Sequence, residues 1–131
     1  MMRDLYAAEH LPFDERVATR GLRELLADPS LGTVYIIEVE GGVCGYVVVA
    51  VNFSLEFHGR YAWIDELYVR APSRGCGIGS AVLRLIEAEA RDRGFDAVRL
   101  EVTRGNAGAA RLYRRVGYED LDRDLLTRWI R

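Results

Sequence analysis

Apolar residues follow two periodicities along this chain, and the changes from one to the other mark its elements. Val17, Leu22, Leu25 and Leu26 recur at near-helical spacing behind Pro12, Asp14 and Glu15, an order that predicts a helix with acid in its first turn. Gly21 weakens that helix and Asp28-Pro29 ends it, because a residue before proline is pushed out of the helical region. Residues 1–10 are mixed and predict no more than a helical turn. From Thr33 to Glu40 almost every residue is a β-former, Gly41-Gly42 is a hairpin signal, and Val43 to Phe53 reads as the return strand. The centre of that strand, Val47 to Val51, is apolar on both faces, which predicts a central position in a sheet. A polar connection, Ser54 to Arg60, leads to a third strand, Tyr61 to Arg70, so the first three strands form an antiparallel meander.

The period then becomes helical. Ile78, Val82, Leu85 and Ile86 make an apolar stripe, and Gly94 follows as a stop signal. Val98, Leu100 and Val102 alternate in a strand from Ala97 to Val102, and a strand–helix–strand unit of this length closes as a right-handed parallel crossover. Asn106 caps a short helix running to about Val116, Gly117 ends it, and Leu125 to Ile130 predict a final hairpin strand after Tyr118. The fold class is therefore α/β in one domain, residues 1–131, with a mixed, mainly antiparallel sheet and one parallel pair.

The stretch Arg74-Gly75-Cys76-Gly77-Ile78-Gly79-Ser80 joins the third strand to the helix after it. Its glycines leave backbone N–H groups uncovered at a helix N-terminus, where the dipole favours an anion, and Arg74 adds a positive charge. This composition predicts a pyrophosphate cradle. A P-loop needs a lysine after its last glycine, and all eighteen basic residues here are arginine. A dinucleotide fingerprint would start directly after its strand, whereas five residues separate Val69 from Gly75, and the chain is too short for two nucleotide-binding halves. A glycine turn used only for packing is the plainer alternative.

Composition narrows the partners. The net charge of −2 argues against nucleic acid. No apolar run reaches spanning length and no charged-then-apolar leader opens the sequence, so the expected location is the cytoplasm, with no membrane partner. Cys44 and Cys76 do not make a disulfide framework, and His10 and His58 stand in no metal-ligand spacing, so no metal site is expected. Cys76 lacks a histidine in its motif and reads as a small loop residue rather than a nucleophile.

Three blocks together resemble the GNAT N-acetyltransferase superfamily. Arg74, Gly77 and Gly79 fit its R/Q-x-x-G-x-G/A signature. Ile64-Asp65-Glu66-Leu67-Tyr68-Val69 is similar to the strand that precedes it. Asn106, Ala109, Leu112, Tyr113, Gly117 and Tyr118 fit N-x-x-A-x-x-L-Y-x-x-x-G-F/Y. The resemblance is specific over residues 33–118 and looser outside them. It implies acetyl-CoA as co-substrate and direct transfer of acetyl to an amine. The usual first strand of the family has no counterpart before Thr33, which raises the prospect of a homodimer covering a bare sheet edge.

By this resemblance Glu66 is the general base, with Asp65 as the second candidate, since strand alternation lets only one of them face the cleft unless a bulge intervenes. Tyr113 is the general acid. Leu67, Tyr68 and Val69 pair with the pantetheine arm as a strand would, and the Val69 N–H stabilises the oxyanion. Arg74, Gly75, Cys76, Gly77, Ile78, Gly79 and Ser80 hold the pyrophosphate, and Asn106 and Ala109 also contact the cofactor. Glu56, Asp65 and Trp63 are the candidate acceptor contacts. An acid-lined cleft with an aromatic wall favours a cationic, polyamine-like amine, while a peptide amine, an aminoglycoside or an amino-acid amine also fits. A non-catalytic acetyl-CoA-binding module on the same fold is the competing reading.

Overall fold

A computed structural model describes residues 1–131. In chain order it contains α1 (Met2–Ala8), α2 (Glu15–Ala27), β1 (Gly32–Val39), β2 (Gly42–Ser54), β3 (Gly59–Val69), a 3-10 turn (Ala71–Ser73), α3 (Ile78–Asp92), β4 (Val98–Leu100) and α4 (Ala107–Val116). The sheet order is β1-β2-β3-β4. The first three strands are antiparallel and β3 pairs with β4 in parallel, as the meander and the crossover predict. No strand precedes β1.

Both helix starts are capped, at Asn106 as predicted and at Asp14, which precedes its helix rather than lying in the first turn. Asp14 Oδ1 accepts from Arg16 N at 2.8 Å and from Val17 N at 3.3 Å, satisfying two amides that the first turn of α2 leaves free. Asn106 Oδ1 accepts from Ala109 N at 3.1 Å at the head of α4, and Gly117 ends α4 in the left-handed conformation at φ 114°.

Val47, Val49, Ala62 and Ile64 point from the sheet onto Val82, Leu83, Ile86 and Ala90 of α3. Leu83 has no exposed surface, and Leu83→Ala is expected to lower stability by about 2–5 kcal/mol, measured by denaturant unfolding. Leu85, expected in the apolar stripe, is 69% exposed. The helix faces the sheet along Ile78, Val82, Ile86 and Ala90, and at 100° per residue Leu85 falls at the margin of that row.

Two further expectations are corrected. Residues 2–8 form a helix, held by tertiary contacts: Tyr6 meets Phe13 edge-on at 5.5 Å and Arg3 pairs with Glu15 at 2.8 Å. The final hairpin does not form. Residues 119–131 carry no regular structure, and Leu126, Trp129 and Ile130 are all more than 85% exposed. A β-like pattern makes a strand only where it pairs with an edge, and the tail pairs with neither β1 nor β4, the edge strands of the sheet.

Candidate active site

The site forms where β3 and β4 part. They pair only at Ala62–Val98, Trp63–Arg99 and Ile64–Leu100, so from Asp65 to Val69 β3 has a neighbour on its β2 side alone. Just there, β3 has one residue more than β2: Val49 pairs with Ile64 and Val48 with Glu66, leaving Asp65 as the bulge. Ile64 and Leu67 both pack on the core, three residues apart, so the bulge moves the alternation by one. This settles which carboxylate is embedded. Asp65 is exposed, whereas Glu66 is 8% exposed on the sheet face opposite α3.

Tyr46, on the same face of β2, donates its hydroxyl to Glu66 Oε2 at 3.1 Å. Burial pushes the Glu66 carboxyl above the usual range, the Tyr6 and Tyr46 phenols pull it back in part, and the Asp65 charge adds to the rise. The same carboxylate, after burial, helps raise the Tyr6 phenol to about 12. Burial outweighs the hydrogen bonds of the two phenols, so this carboxylate takes a proton more readily than an exposed one.

Tyr113 lies on α4, and burial, then the nearby Glu9 carboxylate, push its phenol up, so it is protonated at neutral pH. Glu9 follows the end of α1 and accepts from Thr103 Oγ1 at 2.5 Å and from Asn106 Nδ2 at 3.2 Å. Tyr6 acts on Glu66 and Glu9 acts on Tyr113, and the two stand three residues apart on one short segment. Residues so spaced are neighbours on a helix face, so the N-terminal segment reaches from Glu66 to Tyr113. Sequence reading missed Tyr6, Glu9 and Tyr46; no motif contains them, and only the packing of α1 against the sheet brings the first two here.

Beyond the bulge the backbone of β3 is half unpaired. Arg70 N bonds Cys44 O at 2.7 Å and the Tyr68 carbonyl faces Gly45, so by alternation Val69 and Leu67 turn their polar groups away from β2. Of the three residues expected to pair with an extended arm, Leu67 and Val69 offer that edge, while the Tyr68 backbone belongs to the sheet. Arg74 closes the end: its Nε donates to Val69 O at 2.7 Å and its guanidinium lies 5.5 Å from the Tyr68 ring. The Val69 carbonyl is thereby occupied.

The glycine loop opens beside this edge. Gly75 and Gly77 have φ of 78° and 84°, and a Cβ at either would meet nothing within 4 Å. Gly77 caps α3 in the left-handed conformation with no side chain covering the helix end. The first bond of the helix runs from Ala81 N to Gly77 O, so the amides of Ile78, Gly79 and Ser80 point outward. Gly79 also lets the helices meet, since a Cβ there would lie 2.9 Å from Leu112 Cδ2. The Cys76 thiol donates to Ser73 O at 2.9 Å and serves the turn. Open space, an uncapped helix start and a nearby guanidinium fit a pyrophosphate.

Four expected contacts are placed differently. Asn106 is filled at both ends of its amide by the α4 cap and by Glu9, and the Ala109 N–H is taken by Asn106. Glu56 lies beyond the far end of β3 from the glycine loop, paired with Arg123 at 2.7 Å and 2.8 Å. Trp63 shares the face of Glu66, but Arg99 lies against it, 5.8 Å from the ring. A cationic acceptor therefore does not find a free aromatic wall here.

Residues 1–118 match the profile of the Acetyltransferase (GNAT) family. The chain belongs to this family. It is 34% identical over 119 residues to an IAA acetyltransferase of Azospirillum brasilense, covering 89% of this chain and 69% of that one. It is also 34% identical over 79 residues to the thialysine N-epsilon-acetyltransferase of Bos taurus, covering 60% of this chain but spanning only 46% of the bovine enzyme. Among solved structures, an integron cassette protein from the mobile metagenome of Cole Harbour Salt Marsh superposes with a TM-score of 0.85 at 28% identity, over 99% of this chain and 80% of that one.

Proposed function

We propose that this GNAT protein is an N-acetyltransferase that moves an acetyl group from acetyl-CoA to the primary amine of a small molecule or peptide by direct attack. The observation that carries this reading is the parting of β3 from β4 at the Asp65 bulge. It puts a desolvated carboxylate, a free strand edge and an uncapped helix start along one line. When bound, acetyl-CoA supplies an activated acyl group and a thiolate leaving group. The amides of Ile78, Gly79 and Ser80 hold its pyrophosphate, with the Arg74 guanidinium nearby. Leu67 and Val69 orient its arm along the strand edge, and the Val69 N–H receives the charge that develops on the acyl oxygen. Glu66 removes the proton that keeps the amine from attacking, directly or through water. Tyr113 returns a proton to the departing sulfur.

Calorimetric titration with acetyl-CoA, followed by a thiol-release assay over an amine panel, tests the proposal. Saturable binding with amine-dependent thiol release is the expected result; binding without release from any amine identifies a non-catalytic module instead. Tyr113→Phe is expected to lower kcat by about 10²-fold or more with acetyl-CoA affinity within about twofold of the parent. An equal loss in both would remove Tyr113 as the acid.

A further inference from the structure

The face of the sheet that carries Glu66 also carries a guanidinium with no carboxylate partner. Val98 and Leu100 pack toward the core, so Arg99 between them points to the opposite face, beside Trp63. Its guanidinium carbon lies 4.1 Å from the Phe57 ring centre, 5.6 Å from that of Tyr61 and 5.8 Å from that of Trp63. Stacking on rings leaves the in-plane N–H groups free. Only one hydrogen bond is made, from Nη1 to the Tyr61 hydroxyl at 3.4 Å, out of five donors.

The platform is firmly held. Phe57 and Tyr61 meet at a tilt of 57° with their ring centres 5.3 Å apart, Asn52 Nδ2 reaches the Tyr61 hydroxyl at 3.5 Å, and His58 Nδ1 ties the β2–β3 turn to Asp96 at 2.8 Å. Glu56 is the acidic group whose titration Arg99 influences, and it is taken up by Arg123. The Glu56–Arg123 pair is neutral as a unit, so Arg99 is left as a surplus positive charge.

Glu66 is aligned with Val48 and Trp63 with Ala50, two residues apart on β2, and Arg99 lies one strand further out. At about 3.3 Å per residue and about 4.8 Å between strands, with Arg99 leaning toward Phe57, the two charged ends are roughly 10 Å apart. Resting on the acetyltransferase reading of the site, we infer that the acceptor is an amine bearing a carboxylate or phosphonate, with its amine at Glu66 and its anion on Arg99. The negative end of the face receives the cationic amine and the positive end fixes the other terminus. This orients the acceptor and disfavours polyamines, whose far end would meet Arg99.

The test compares ω-amino acids of graded length, an acidic-residue peptide amine, n-alkylamines and diamines in the thiol-release assay, with wild type, Arg99→Gln and Arg99→Lys. Melting temperature is followed as a check on folding. Wild type is expected to prefer an ω-amino acid, or the acidic peptide if that is the source of the anion, over the alkylamine of equal length. In Arg99→Gln that preference should fall about tenfold or more through KM, and Arg99→Lys should restore part of it. A wild-type preference for diamines or alkylamines, or a preference unchanged in Arg99→Gln, overturns the inference. Titration of the same ω-amino acids into the protein with CoA separates this inference from the catalytic reading. Arg99-dependent binding without turnover would keep the anion site and sink the acetyltransferase, whereas no binding would sink the site.

Discussion

Glu66→Gln is expected to lower kcat for acetyl transfer by about 10²–10⁴-fold, the usual contribution of a positioned general base. Glutamine keeps the shape and can still meet the Tyr46 hydroxyl that bonds Oε2 in the parent, so the fold should persist. The same variant should show a pH signature in stability. Burial raises the carboxyl of Glu66 in the folded state, so folding favours its protonated form. That contribution is fully present below the unfolded carboxyl pKa of about 4.3 and is lost as pH rises through the higher folded value. The melting temperature of Glu66→Gln relative to the parent should therefore rise between acid and neutral pH. Full activity in Glu66→Gln together with inactivity of Asp65→Asn would move the base to the bulge residue.

Gly77→Asp is expected to weaken acetyl-CoA binding at least about 100-fold, equivalent to about 2.7 kcal/mol, in a calorimetric titration. The added Cβ enters open space, so no buried contact is broken. The carboxylate, however, stands at the uncapped start of α3 and would compete there with the pyrophosphate proposed to bind the same amides. Aspartate tolerates the left-handed region better than most residues, and Gly77→Ala serves as the control for backbone strain. If Gly77→Asp binds as well as the parent, the pyrophosphate does not sit at this helix.

The strands, the crossover and the helices α3 and α4 were legible because each depends on local pattern. The β-branched run at residues 34–39, the apolar centre of β2 and the Asn106 and Gly117 punctuation carry their own reasons for forming. The glycine loop was legible for the same reason, since Gly75 and Gly77 take dihedrals that other residues avoid. The tail misled because its apolar pattern is genuine, yet it pairs with neither edge strand of the sheet. Leu85 misled because a stripe read from spacing has no absolute direction until the helix is docked.

The sequence by itself determined the α/β fold class, the order of elements and the place of the glycine loop. These follow from periodicity, backbone freedom and capping, which act over a few residues. Only the tertiary structure buried Glu66 and left Asp65 exposed, because a bulge is a mismatch in length between two strands and belongs to neither alone. It also brought Tyr6 beside Glu66 and Glu9 beside Tyr113, and set Arg99 unpaired on an aromatic platform while giving Glu56 to Arg123. Charges and aromatic rings carry no signal of their partners along the chain. Their role is set by which surface they meet once the sheet has formed.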